Sequence, residues 1–313
     1  MIRIGIGIGE IGNQPATVQD LVAQAQRAER DGFASGWIAN IFGMDAITTA
    51  VVVGRETRSI ELGTAVVPTY PRHPFAMAQQ ALSAQAAIGG RFALGIGLSH
   101  QIVIEGMLGL SFAKPYSHMK EYLAVLAPLI REGHVSHAGE EFRVNASLRV
   151  AGAKPCPILV AALAPKMLAL AGQVADGTIT WMTGLKTVRE YTAPTIREAA
   201  ARAGRPEPRI IVSLPIAVTE EVGAAREAAA RTFQIYGSLP SYRAMLDREG
   251  AEGPADVAIV GDEDSVGEAI SRLREGGATD LLAIPFGFGS YPAAAIERTR
   301  ALLVRLANVV RPT

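Results

Sequence analysis

Short apolar runs alternate with amphipathic stretches along almost the whole chain. Ile2 to Ile8 reads as a strand with glycines on one face, and Thr17 to Arg30 as a helix with Leu21, Val22, Ala25 and Ala28 along one side. The same pattern gives strand Gly36 to Asn40, helix Asp45 to Arg55, strand Ile60 to Val67, helix Phe75 to Ile88 and strand Phe92 to Ile96. A Gly-rich, apolar excursion from His100 to Ser117 precedes helix Met119 to Arg131, and His134 to Val144, with Gly139 at its turn, reads as an inserted hairpin. Strand Ile158 to Ala162, helix Lys166 to Val174, strand Gly177 to Trp181, helix Thr187 to Ala203, strand Ile210 to Val218 and helix Ala224 to Tyr236 continue the alternation. Pro240 to Gly253 is a second, helical insertion, before helix Asp264 to Glu275, strand Asp280 to Pro285 and helix Pro292 to Val310.

Eight strands that are apolar throughout, rather than alternating, predict a parallel sheet covered by helices. Such a sheet either lies open or closes into a barrel. An open nucleotide-binding sheet begins with a Gly-rich loop leading into the first helix. Here Gly5, Gly7 and Gly9 alternate within the strand itself, which makes room inside a barrel. The fold class expected is therefore α/β, a (β/α)8 TIM barrel with insertions after strand 4 and strand 7, one domain over residues 1–313. The length and the 49% hydrophobic content are enough for one large core.

Charge narrows the partners. Thirty Lys plus Arg balance thirty Asp plus Glu, so no bulk field recruits nucleic acid or an anionic membrane, and a small-molecule substrate is expected. Nowhere do about 18 uninterrupted apolar residues occur, and no signal-peptide pattern opens the chain, which gives a cytoplasmic expectation. The one cysteine, Cys156, lies between prolines before an apolar strand and reads as a buried structural thiol. His118, His134 and His137 lack metal-ligand spacing and read as solvated, so no metal is expected. Ile47, Ala50, Val51, Val52 and Val53 make the segment Ala46 to Val53 more apolar than one barrel-facing stripe needs, which suggests a homodimer face.

The richest stretch runs from residue 72 to 100. Pro74 suits a helix start, Gly89 and Gly90 stop that helix, and the strand that follows ends in Gly95 and Gly97 with Ser99 and His100 just beyond. A strand whose C-terminal end opens onto polar side chains is where an α/β barrel puts its chemistry. The motifs Leu62-Gly63-Thr64-Ala65-Val66-Val67-Pro68, Arg72-His73-Pro74, Gly90-Arg91-Phe92, Leu94-Gly95-Ile96-Gly97, Ala161 to Gly172 and Ala175-Asp176-Gly177 occur in an order that resembles the luciferase-like monooxygenase superfamily. Within it the chain is similar to the coenzyme F-420-dependent oxidoreductase branch.

That resemblance implies hydride transfer between C5 of the deazaflavin F-420 and a small organic substrate. Its alternatives are an FMN-dependent monooxygenase and a catalytically inactive flavin-binding barrel. It also implies a non-proline cis peptide near Ala65 and Val66, behind the cofactor ring. Ala161, Ala162, Leu163, Ala164 and Lys166 lead from a strand into a helix start whose free N–H groups suit a phosphate. Gly97, Leu98 and Ser99 expose backbone at another strand end, and Arg72 could meet the anionic tail. His100 is the candidate proton carrier, because a histidine donates or accepts near neutral pH, and Asn40 could bond the pyrimidine edge of the ring. The family's usual acidic or histidine pair after the second strand is replaced here by Trp37-Ile38-Ala39-Asn40. Trp181 ends a strand and could wall the substrate pocket.

Overall fold

A computed structural model describes residues 2–9 and 15–309 of the chain. Its strands are β1 (Arg3–Ile8), β2 (Ser35–Ile38), β3 (Glu61–Thr64), β4 (Val67–Pro68), β5 (Phe92–Gly97), β6 (His134–Ala138), β7 (Arg143–Ser147), β8 (Ile158–Val160), β9 (Gly177–Trp181), β10 (Arg209–Val218), β11 (Ile259–Gly261) and β12 (Asp280–Pro285). Parallel pairing runs β1, β2, β3, β5, β8, β9, β10, β12 and returns to β1, a closed eight-stranded barrel. The helices that cover it include α1 (Val18–Arg30), α2 (Ala46–Arg55), α3 (Pro74–Ala87), α4 (Gln101–Ile104), α5 (Pro115–Arg131) and α6 (Pro165–Val174). Further on come α7 (Leu185–Thr187), α8 (Ala193–Arg202), α9 (Val222–Thr232), α10 (Pro240–Glu249), α11 (Pro254–Val257), α12 (Glu263–Glu275) and α13 (Pro292–Asn308). The expected last residue of that final helix, Val310, lies outside the described residues.

The barrel interior is filled from few positions. Trp37, Ala93, Leu159, Ile179, Ile211 and Leu282 form the cluster at its centre. Trp37 is 2% exposed, and its ring needs the glycines of the neighbouring strands. A Cβ on Gly63 would sit 2.2 Å from the ring, and one on Gly5 would sit 2.9 Å from its Nε1, which donates to Ser35 Oγ at 2.9 Å. Below the ring Arg209 reaches Asp280 at 2.7 Å and Glu61 at 2.9 Å. Burial opposes the Arg209 charge, but the two carboxylates outweigh it and raise its pKa. This ion cluster lies across the strand starts, at the N-terminal end of the barrel.

Two of the sequence motifs turn out to be structural. Arg91 donates to the carbonyl oxygens of Gly54, Thr57 and Ile60, tying the end of α2 to the start of β5. Asp176 accepts from the Ile158 N–H at 2.8 Å and from Arg131 and Arg205, fixing the starts of β8 and β9. Cys156 is buried, which pushes its thiol up to about 12. The apolar side of α2 goes largely to the barrel's own packing, with Ala46, Ile47, Ala50 and Val53 buried and Val52 exposed.

Several boundaries differ from the sequence reading, each for a local reason. The strand expected over Ile60 to Val67 breaks into β3 and β4, and the Ala65–Val66 peptide between them is cis. The excursion after His100 contains α4, and α5 starts at Pro115 rather than Met119, because Pro is well placed in the first helical turn. The helix expected over Thr187 to Ala203 carries a π-helical stretch at Val188–Thr192. β11, a three-residue strand on β10 outside the ring, is too short to leave a periodic signal. The inserted hairpin is β6 and β7, paired antiparallel from His134 to Ser147.

Because the Trp37 ring occupies the space that Gly63 leaves, the substitution Gly63→Ala must displace it. Overpacking of this kind costs about 1–3 kcal/mol, and urea unfolding should show a lower midpoint at unchanged slope.

Candidate functional site

The C-terminal end of the barrel, its mouth, is asymmetric. One half is built of small residues, Gly7 on β1, Gly97 ending β5 and Ala161 after β8. A Cβ on Gly7 would meet Ile284 at 2.8 Å, and one on Gly97 would meet Val66 at 2.7 Å and Ala161 at 3.2 Å. Ala65, Val66 and Ala161 pack on the central cluster, so these predicted cofactor residues meet at one place with Gly97. The other half of the mouth is aromatic, with Trp181 ending β9 and Phe286 following β12.

Backbone geometry holds the small-residue half. Thr64 Oγ1 donates to Gly95 O at 2.8 Å and accepts from Gly95 N at 2.9 Å, locking β3 to β5 just before the cis bond. Thr69 N donates to Gly97 O at 2.9 Å, and Tyr122 OH donates to Arg72 O at 2.9 Å. Ser99 follows with φ of 62°, a left-handed conformation that turns the chain abruptly out of β5. Leu98 beside it is half-buried. After β8, Ala162 is buried, and Leu163 O accepts from Tyr191 OH at 2.9 Å. Ala164 caps α6 without a side-chain oxygen, so no side chain occupies the first-turn N–H groups of Lys166 and Met167. Lys166 itself is exposed.

Two predicted residues are already engaged. Asn40 Oδ1 accepts from Ala46 N at 3.0 Å, so the side chain holds the turn into α2 with its NH2 group still unengaged by the protein. Arg72 pairs with Asp45, the N-cap of α2. Burial opposes the Asp45 charge, yet the Thr48 N–H and Arg72 hold its carboxyl below the usual range. Arg72 therefore braces the loops after β2 and β4 and is not a free cation. His100 caps α4 without a side-chain bond to it, and burial lowers its pKa, leaving it neutral at pH 7.

His118 corrects the sequence reading, which left it in solvent. It is 5% exposed, with Nε2 3.1 Å from Thr69 Oγ1 and Nδ1 2.7 Å from Glu141 on the hairpin turn. A carboxylate only accepts, so Nδ1 carries the proton; in the neutral ring Nε2 then accepts from Thr69. Tyr70 stacks on this imidazole at 4.0 Å. Burial, with Glu141 and Glu105 nearby, pushes the Tyr70 hydroxyl up to about 12. Sequence reasoning missed this cluster because its members are 49 and 23 positions apart and carry no spacing signal. His73 does cap α3, accepting from Phe75 N at 3.2 Å.

Among the described residues, no group of three or more His, Cys, Asp or Glu could hold a metal, and no helix is long and apolar enough to cross a membrane. A cleft of about 380 Å³ between α1 and α2, lined by Val18, Val22, Gln26, Val52 and Glu56, lies away from the strand ends and gathers no chemistry.

Burial lowers both His118 and His100 from the ordinary 6.5. The unfolded chain then binds more protons than the native one below that value, so their contribution is fully present above pH 6.5 and is lost as pH falls. Two imidazole resonances titrating below 6.5, with a urea midpoint that drops on acidification, are the expected observations.

Comparison with known proteins agrees with this architecture. The family model described as luciferase-like monooxygenase matches residues 2–280. The 5,10-methylenetetrahydromethanopterin reductase of Methanolobus tindarius is 28% identical over 299 residues, covering 95% of this chain and 90% of that protein. The F-420-dependent tetrahydromethanopterin reductase from Methanopyrus kandleri superposes with a TM-score of 0.79 at 20% identity, covering 98% of this chain and 99% of that one. The oxygenating component of 3,6-diketocamphane monooxygenase from Pseudomonas putida, solved with FMN, gives 0.77 at 16% identity over 100% of both chains. The two solved structures share the fold; the match along the sequence places this chain in the luciferase-like monooxygenase family.

Proposed function

We propose that the protein is an F-420-dependent oxidoreductase that passes a hydride between C5 of the deazaflavin and a small organic substrate at the barrel mouth. The observation that carries this reading is the small-residue half of the mouth, where Gly97, Val66 and Ala161 pack together with Ala65 beside them, next to the start of α6, whose first N–H groups no side chain caps. A Cβ at Gly97 would strike Val66 at 2.7 Å and Ala161 at 3.2 Å, so glycine lets these residues close into a level floor that a planar cofactor would fit. The likeness to a Mycobacterium tuberculosis protein named after coenzyme F-420-dependent oxidoreductases, 30% identical over 72% of this chain, supports the deazaflavin over FMN. When bound, the coenzyme supplies the hydride chemistry, and carbon in place of N5 makes its reduced form unreactive towards oxygen.

In this reading the chain binds and orients. The N–H groups of Lys166 and Met167 would hold a phosphate, with Leu98, Ser99 and residues 161–164 as further backbone for it, and the exposed Lys166 ammonium would attract an anionic tail. Asn40 keeps its amide NH2 for the ring edge, and Arg72 braces the loop after β4 against the one after β2. His100, neutral and half-buried, accepts the proton that a substrate hydroxyl releases as hydride leaves its carbon, and returns it in the reverse direction.

Titration with both coenzymes, followed by fluorescence quenching, tests the cofactor. Tight F-420 binding and turnover without oxygen consumption are expected, whereas tight FMN binding with negligible F-420 binding makes the protein a monooxygenase instead. If His100 carries the proton, His100→Ala should lower kcat by about 100-fold, with coenzyme affinity retained. An unchanged kcat removes His100 from the chemistry.

A further inference from the structure

The inserted α10 touches the candidate proton carrier. Tyr242, in the first turn of that helix, lies 5.7 Å from the His100 imidazole, ring centre to ring centre, tilted at 54°. Tyr236 meets Tyr242 edge on, at 5.1 Å and 83°, and Trp181, at the end of β9, meets Tyr236 at 5.6 Å and 78°. Phe233 stands against Trp181 at 5.7 Å, and Phe286, after β12, against Phe233 at 5.8 Å. Edge-to-face contacts of this kind are the ones that ring quadrupoles favour. Each ring rests on the next, which makes the series a brace running from the barrel strands to His100.

The other four of the five histidines have a polar partner for the ring. His73 accepts from Phe75 N, His118 and His137 face Glu141 and Glu121, and His134 meets the carbonyl oxygen of Glu132. Among the described residues the His100 imidazole has none, and its position as the cap of α4 brings it no side-chain bond. A ring without hydrogen bonds is oriented by what it packs on, and here it packs on Tyr242. The charged groups of the two segments that meet are engaged elsewhere. Arg243 bonds Asp247 at 2.8 Å, Arg248 lies over the Tyr191 ring at 3.9 Å, and Glu105 accepts from Gln101 Nε2 and Phe112 N. Glu249 accepts from the N–H groups of Lys186 and Thr187 at 3.0 and 2.7 Å, which fixes α10 from its other end, with Met245 and Leu246 buried. Burial is accordingly what lowers the His100 pKa, and burial with Tyr236 beside it what raises that of Tyr242.

Resting on the reading of His100 as the proton carrier, we propose that Tyr242 is its positioning residue: braced by Tyr236 and carried on a helix that Glu249 pins, its ring covers one side of the imidazole, sets how that ring stands in the mouth and keeps water off it. An imidazole shielded in this way stays neutral, and able to take a proton, at a lower pH than one in water. The proton chemistry of the mouth is then governed from an inserted helix outside the eight-stranded ring.

Imidazole NMR titration of the protein alone tests this, with His100→Ala to assign the resonance and His118 as internal control. In Tyr242→Ala the His100 resonance should lose the ring-current field of the tyrosine and titrate closer to the ordinary 6.5, with His118 unmoved. Tyr242→Phe keeps the ring and should match the wild type in both respects. Tyr242→Leu keeps apolar bulk for the packing of α10 and should lose the ring current as Tyr242→Ala does, which covers the case in which alanine loosens the helix. In the turning-over enzyme the acidic limb of the kcat profile should move to higher pH in Tyr242→Ala and return to its place in Tyr242→Phe. A His100 resonance that keeps its shift and its titration in both the alanine and the leucine variants overturns the proposal. So does a Tyr242→Phe variant displaced as far as Tyr242→Ala, because the hydroxyl and not the covering ring is then responsible. The resonances are read without coenzyme or turnover, so the two readings fail separately: Tyr242 shifts as expected beside an unchanged kcat in His100→Ala leave the contact standing and remove the proton carrier.

Discussion

A closed barrel of eight strands leaves a central volume that must be filled, and here one indole does most of it. Trp37 lies across the axis because Gly5 and Gly63 give up their side chains to it, and Ser35 takes its N–H. Everything above depends on that choice. With the centre packed by a large ring, and Arg209, Glu61 and Asp280 across the strand starts, the mouth residues Gly7, Gly97 and Ala161 are free to be small. Flat, side-chain-poor backbone at a strand end is what a planar cofactor needs, and it is possible only because the layer beneath is already close-packed.

The barrel was legible because its strands are buried on both faces and the helices around it on one, so apolar runs alternate with 3.6-residue periodicity. The alternating glycines of β1 could be assigned to the interior for the same reason, and Gly5 against Trp37 is that assignment in three dimensions. Where signals were weak, the reading failed in a physical way. Three residues of β11 are too few for a period, and the interruption between β3 and β4 leaves an uninterrupted apolar string in the sequence.

The candidate site was legible in part: Ala65, Gly97 and Ala161 are small residues at or just beyond strand ends, and such residues can be recognised one by one. Their engagement by neighbours cannot. Nothing in the spacing says that Asp45 binds Arg72 or that Ala46 binds Asn40, since these contacts are set by how adjacent loops meet. Two of the motifs that identify the family, at Arg91 and Asp176, serve strand starts at the N-terminal end and report on architecture rather than on chemistry.

The inserted hairpin shows how an appendage can be wired into a mouth that it does not line. Glu121 on α5 accepts three consecutive N–H groups of its turn, from Glu140, Glu141 and Phe142, while Glu141 reaches through His118 to Thr69, whose N–H is bonded to Gly97. The turn of the hairpin and the floor of the mouth thus belong to one hydrogen-bonded chain. A lineage that lengthens or recolours this turn is not editing a bystander: it inherits a handle on the pitch of the mouth's floor, and graftable loop and barrel mouth become the same piece of protein.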